Sequence, residues 1–281
     1  MTNEDGLLGA AALRRALERH GVRPLKSLGQ NFVIDPNTIR KVLSAAHLPS
    51  NTRVLEVGAG AGSLTLALAG ACEYVVALEK DARLLPVLHE VVGDCDNVEI
   101  VQGDALEVDL ASFRTGHVVA NLPYNVAATV VIRVLDEAPS VQSLTVMTQR
   151  EVGERLAAGP GSKVYGQTSV LVAHFASASV VGTVSRRAFF PVPRVDSVIV
   201  RVERREGAEL RHRAEFFQVV KAAFSQRRKT LRNSVAGLFD SSEESQRAFY
   251  RAGVDPSMRA ETLTADAFAL LAEELARSGR T

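Results

Sequence analysis

The stretch Arg53-Val54-Leu55-Glu56-Val57-Gly58-Ala59-Gly60-Ala61-Gly62-Ser63 runs from a β-branched apolar segment through a glycine turn into the helical spacing of Ser63–Ala69. Glycine lets the backbone turn sharply and lets a ligand approach the main chain with no side chain between. Apolar runs recur outward from this point at 74–79, 98–101, 117–121 and 143–147, with helical spacing over 82–92 and 127–136 between them. Strand, helix, strand at that interval predicts crossover units and a mostly parallel α/β sheet with helices on both faces. Asp196–Val202 reads as one more strand. Beyond it the polar run 204–209 reads as a linker, and 215–224, 229–239, 243–252 and 265–276 carry only helical patterns. The expected organisation is a catalytic domain over 1–205, led by a basic helical segment, and a small all-helical domain over 206–281. Ala158-Gly159-Pro160-Gly161-Ser162 must turn at the surface.

Composition narrows the class. Of 281 residues, 46% are hydrophobic and 23% charged, enough apolar material for a core and too much for wholesale disorder. Two cysteines, Cys72 and Cys95, cannot build a disulfide scaffold or a cysteine-rich zinc site, and no metal cluster is expected. The first residues, Met1-Thr2-Asn3-Glu4-Asp5, lack the basic end of a signal peptide, and no apolar run nears the ~20 residues that span a bilayer. A cytoplasmic protein with no membrane partner is the expectation.

The net charge of +1 conceals an asymmetry, because residues 182–281 hold 18 Lys/Arg against 13 Asp/Glu. Lys221–Arg232 contains Arg227, Arg228, Lys229 and Arg232 and no acid, and Arg14, Arg15, Arg19, Arg23 and Lys26 form a second basic stretch. Solvated helix faces often look like this. Two such clusters flanking a catalytic-looking core point instead to nucleic acid, with the four C-terminal cations on phosphates.

Glu79 ends the second strand where a ribose-binding acid belongs, and Asp104 follows the third within Gly103-Asp104-Ala105-Leu106. With Gly58 and Gly60, these acids describe an adenosine pocket. NAD and S-adenosylmethionine both fit it, although Ser63 stands where a dinucleotide fingerprint places glycine or alanine. Asn121-Leu122-Pro123-Tyr124 closes the fourth strand over the same crevice. The N6 lone pair of adenine is delocalised into the ring, and two acceptors on its hydrogens favour the pyramidal, reactive amine. The Asn121 Oδ1 and the Leu122 carbonyl are two such acceptors, Pro123 holds that carbonyl's direction, and Tyr124 can stack on an extruded base. A nicotinamide-dependent oxidoreductase and a non-enzymatic RNA-binding assembly factor are the competing readings. The first lacks a convincing acid beside the crevice, and the second leaves this tetrapeptide unexplained.

Asn121-Leu122-Pro123-Tyr124-Asn125 resembles the catalytic motif of the ribosomal-RNA adenine N6-dimethyltransferases, and Gly29-Gln30-Asn31-Phe32-Val33 resembles their amino-terminal motif. The resemblance continues through Gln149–Val152, Ser162–Gly166, Ala188–Ser197 and Phe224–Ser234, over roughly residues 23–275. The basic Gln226–Arg232 segment is similar to the housekeeping, KsgA-type branch rather than to the macrolide-resistance branch. The resemblance implies a class I methyltransferase (Rossmann-like) fold and an S-adenosylmethionine site formed by Gln30, Asn31, Val33, Gly58, Gly60, Glu79, Asp104, Ala105 and Asn121. It further implies Tyr124 and Phe189 facing the flipped adenine; the family pattern varies at Phe190, which leaves either ring open as the platform, and Phe189 as platform with Phe190 as core filler is the preferred assignment. Dimethylation of two adjacent adenines near the 3′ end of 16S rRNA in the immature 30S subunit, by a monomer, is the activity it implies.

Overall fold

A computed structural model describes residues 7–208, 210–226 and 229–279. In chain order the elements are α1 (Ala10–Arg19), β1 (Phe32–Val33), α2 (Pro36–Ala46), β2 (Arg53–Val57), α3 (Ser63–Ala69), β3 (Tyr74–Glu79), α4 (Leu85–Val92) and β4 (Val98–Gln102). They continue with β5 (His117–Asn121), α5 (Ala127–Glu137), β6 (Ser143–Gln149), α6 (Arg150–Leu156), α7 (Gln167–Phe175), β7 (Ala176–Val184), β8 (Phe189–Phe190) and β9 (Ser197–Arg204). Four helices end the chain: α8 (Arg213–Phe224), α9 (Leu231–Val235), α10 (Ser242–Arg251) and α11 (Ala265–Arg277). The chain divides into two compact units, Met1–Glu154 with Ala178–Arg204, and Arg155–Ser177 with Arg205–Thr281.

The first unit is an α/β sheet in the order β4-β3-β2-β5-β6-β9-β7. Strands β2 to β6 pair in parallel, and β9 runs antiparallel to β6. Val54–Val57, Val75–Glu79 and Ser143–Thr148 are buried without interruption, the pattern of strands covered on both faces. Helices α2 and α3 pack Ile39, Val42, Leu64 and Leu68 onto Val54, Val75, Val119 and Met147. Local chemistry starts these helices where they are needed: Asp35 accepts from the N–H groups of Asn37 and Thr38 at 3.2 and 3.1 Å, and Pro36 takes the first helical position of α2. The strand order reverses between β2 and β5. In an open sheet that reversal leaves a crevice at the strands' carboxyl ends.

The second unit is helical. Helix α8 buries Phe216, Val219, Val220 and Ala223, and α11 buries Phe268, Leu271, Ala272 and Leu275, apolar stripes at helical spacing. Residues 155–177, read from the sequence as part of the first domain, group with these helices. Tyr165 Oη donates to the Leu263 carbonyl at 2.8 Å, and Gly161 N–H donates to that of Glu261 at 2.8 Å.

Strand β7 is the element the sequence disguises. Ala176-Ser177-Ala178-Ser179-Val180-Val181 has little apolar alternation because an edge strand needs little, and only its ends are buried. A two-stranded ribbon of β1 and β8 also forms, antiparallel, with Phe32 opposite Phe190 and Val33 opposite Phe189. Among the described residues no helix is long and apolar enough to cross a membrane.

Candidate active site

The glycine turn after β2 sits at the reversal point. Gly58, Gly60 and Gly62 have φ of 76°, 60° and 85°, a region costly to residues with a Cβ. Gly60 N–H donates to Glu79 Oε2 at 2.8 Å, and Asp81 N–H donates to Oε1 at 2.7 Å. The turn and the acid at the end of β3 are thus one hydrogen-bonded unit. Glu79 is buried, which pushes its carboxyl above the usual range, while the backbone N–H groups of Asp81, Gly60 and Lys80 pull the other way. Each carboxylate oxygen retains lone-pair capacity after its single bond.

Asp104, beyond β4, accepts from Leu106 N–H at 2.9 Å and binds the Lys80 ammonium. Lys80, then the Leu106 N–H, holds this carboxyl below its ordinary value. Between the acids lies an open cleft with mostly apolar walls and a few converging polar groups, the character of a small-molecule site. Of the residues expected from the sequence, Gln30, Gly58, Gly60, Glu79, Asp104, Ala105 and Pro123 line it. Gln30 is tied down on both sides: its Nε2 donates to Asp81 Oδ2 at 2.8 Å and its Oε1 accepts from Leu25 N–H at 2.7 Å. The lining also includes Leu28, Leu84, Leu106, Val126 and Val130, apolar walls that no polar motif announces. Lys80 was also missed, though its position directly after Glu79 was the available signal.

The catalytic-looking tetrapeptide leaves β5 beside this turn. A Cβ at Gly58 would lie 3.8 Å from Pro123 Cδ and 3.9 Å from the Asn121 carbonyl oxygen. Asn121 Nδ2 donates to the Asn31 carbonyl at 2.9 Å. A carbonyl can only accept, so this bond fixes the amide orientation and leaves Oδ1 as a free acceptor. Leu122 N–H is held by the Met147 carbonyl at 3.0 Å, and nothing among the described residues donates to the Leu122 carbonyl. The Pro123 carbonyl accepts from Val126 and Ala127 at 3.1 Å each, starting α5. Tyr124 Oη pairs with Ser197 Oγ at 3.3 Å. Gly29, at φ 64°, packs so closely that an added Cβ would meet Pro123 and Asn125 at 3.4 Å.

Two expected residues are placed otherwise. Phe189 is 1% exposed and packs with Val33, Ile39 and Leu64 in the core, whereas Phe190 is half-buried beneath the Arg14 guanidinium, 4.8 Å from its ring centre. Phe189 is thus enclosed where the resemblance implies a ring facing the adenine, and Phe190, expected as core filler, is only partly buried, against the cluster that contains Leu13, Phe32 and Leu84. Neighbouring strand residues face opposite ways, and the ribbon pairs Phe189 with Val33 and Phe190 with Phe32. Val33 is itself a core residue at 5% exposure, so its backbone, not its side chain, is what it can offer a ligand. Lys229 and Arg232 are exposed in the helical unit, while Arg227 and Arg228 lie outside the described residues. No group of three His, Cys, Asp or Glu side chains among the described residues could hold a metal, and burial pushes the Cys72 thiol up to about 11.

The sheet order, the acid-bound glycine turn and the acceptor pair after β5 together define a class I, S-adenosylmethionine-dependent methyltransferase. The chain belongs to the ribosomal RNA adenine dimethylase family, whose model matches residues 23–277. It is 46% identical over 283 residues to ribosomal RNA small subunit methyltransferase A of Nocardia farcinica, covering 96% of each chain. To the protein of the same name from Streptomyces coelicolor it is 45% identical over 278 residues, covering 96% of this chain and 97% of the other. Among solved structures, the 23S rRNA methyltransferase ErmE superposes with a TM-score of 0.66 at 27% identity, over 88% of this chain and all of that one. A dimethyladenosine transferase from Plasmodium falciparum shares the fold with a TM-score of 0.79 at 24% identity, over 89% and 98%.

Proposed function

We propose that this methyltransferase dimethylates N6 of two adjacent adenines near the 3′ end of 16S rRNA, in the immature 30S subunit, as a cytoplasmic monomer. The observation that carries the reading is the acceptor pair: Asn121 Oδ1, freed by the Asn31 bond, and the open Leu122 carbonyl. These two atoms accept the two N–H bonds of an adenine amine and draw its lone pair out of conjugation. Both are neutral, so they need no protonation at the working pH. Pro123 spends its own carbonyl on α5, which keeps the loop rigid, and Tyr124, braced by Ser197, supplies a ring face for the base.

The cleft suits the methyl donor. S-adenosylmethionine brings a methyl carbon made electrophilic by its sulfonium. Glu79 would accept from the ribose hydroxyls, Asp104 from the adenine amine, and Ala105 with the apolar wall would hold the adenine faces, while Gly58, Gly60 and Gln30 line the rest and the adjoining Asn31 and Val33 would contribute through their main chain. Once alkylated, the amine is acidic enough to shed its proton to water, so no strong general base is needed. Arg227, Arg228, Lys229 and Arg232 are assigned to RNA phosphates. Mass spectrometry of 16S rRNA from cells lacking the protein tests the reading: two adjacent dimethyladenines should be lost, and their persistence would refute it.

A further inference from the structure

The loop 191–196, between β8 and β9, has no part in the transfer chemistry yet adjoins it, because the next residue, Ser197, holds Tyr124. Two apolar side chains project from it, Val192 at 59% and Val195 at 45% exposure, while Pro193 between them is buried. The loop is braced at its far end. Asp196 Oδ1 accepts from Arg186 N–H at 3.0 Å, its carbonyl accepts from Arg150 N–H at 3.2 Å, and its carboxylate lies 4.0 Å from the Arg150 guanidinium. Arg186 Nη1 also reaches the Arg194 carbonyl at 3.5 Å. Single exposed valines are ordinary at a protein surface; what sets this pair apart is that they stand on a braced loop directly before the residue that holds Tyr124. Arg186, Arg187 and Arg194 are exposed around them. The groove that Arg186 and Arg194 share also contains Glu151, Glu154 and Asp196, which confine the cationic character to the rim.

We infer that this loop is a wedge for the RNA strand flanking the target adenine. When the adenine leaves its stack, the faces of its neighbours are uncovered. Val192 and Val195 cover them, and Arg186 and Arg194 hold the adjoining phosphates. The inference rests on the rRNA reading above. Val192 and Val195 are positioning residues, since they act on the neighbours and not on the reacting nitrogen.

The test compares wild type with V192S/V195S on immature small subunits reconstituted on unmethylated rRNA of the natural sequence and on unmethylated rRNA carrying an abasic nucleotide beside the target adenine. On natural rRNA the variant should lose about tenfold in turnover at saturating RNA, and on the abasic substrate, where no neighbouring face needs covering, most of that loss should vanish. Val192→Ile with Val195→Ile should restore activity, and S-adenosylmethionine affinity should not move. Equal activity of variant and wild type, or equal losses on both substrates, overturns the wedge alone. If the wild type itself transfers no methyl to the natural particle, the rRNA reading fails and the wedge with it.

Discussion

On the β3–β4 side of the crevice the polar groups are charged, enclosed and already engaged, whereas on the β5 side they are neutral and left open. Glu79 is gripped by two backbone N–H groups, and Asp104 by Lys80 and Leu106. The Asn121 Oδ1 and the Leu122 carbonyl have their directions set from behind and, among the described residues, no donor in front. The first arrangement suits recognition of a ligand rich in hydroxyl and amine donors. The second suits a reaction in which a poor nucleophile has only to be shaped. A charged group there would bring a proton inventory that the chemistry does not require.

The comparison breaks most readily at Asn121. Asn121→Ala should cut turnover by roughly 10²–10³-fold, the scale of losing one preorganised hydrogen-bonding group, with a far smaller change in methyl-donor affinity. Single-turnover methylation beside equilibrium binding separates the two. The opposite split is expected of Glu79→Gln: donor affinity weaker by about tenfold to a hundredfold, the scale of a hydrogen bond to a charged group, and turnover at saturation nearly kept. Calorimetric titration checks it, and an equal loss in both quantities would erase the distinction between the halves.

A third measurement sharpens the picture on the charged side. Glu56, on β2, is 1% exposed with no partner for Oε2 among the described residues, and burial pushes its carboxyl from 4.5 up to about 8. The folded state therefore holds this proton more tightly than the unfolded chain. The stability it confers is complete below about 4.5, declines as pH rises to about 8, and changes no further above that. Glu56→Gln should remove the decline, so its melting temperature should gain on wild type across that window. A constant offset from about pH 5 to pH 9 would show that Glu56 does not titrate there. The smallest effect is expected outside both halves: Lys229→Gln with Arg232→Gln should lower RNA affinity several-fold and reduce its salt slope by about 1 per contact, leaving donor affinity alone.

Much of the crevice was legible because its parts sit at strand ends, where sequence order and spatial order agree. Glycines after β2, an acid at the end of β3, another after β4 and the tetrapeptide that begins with the last residue of β5 must meet once the strands pair in parallel. The apolar wall was not legible, since Leu28, Val126 and Val130 carry no chemistry that marks a leucine or valine as ligand-facing. Strand β7 escaped because an edge strand needs no apolar alternation. Phe189 and Phe190 escaped for a different reason: adjacent rings on a strand must face opposite ways, but which faces the core depends on the register with β1.

By itself the chain's order of residues determined the parallel sheet, the family and the acids of the crevice, because these follow from periodicity and from motifs only a few residues long. Tertiary structure alone decided that Asn121 spends its amide on Asn31 and keeps its oxygen, that Phe189 is enclosed, and that residues 155–177 join the helices. Each of those depends on a partner far away in sequence, and which distant groups meet is settled by packing rather than by local preference.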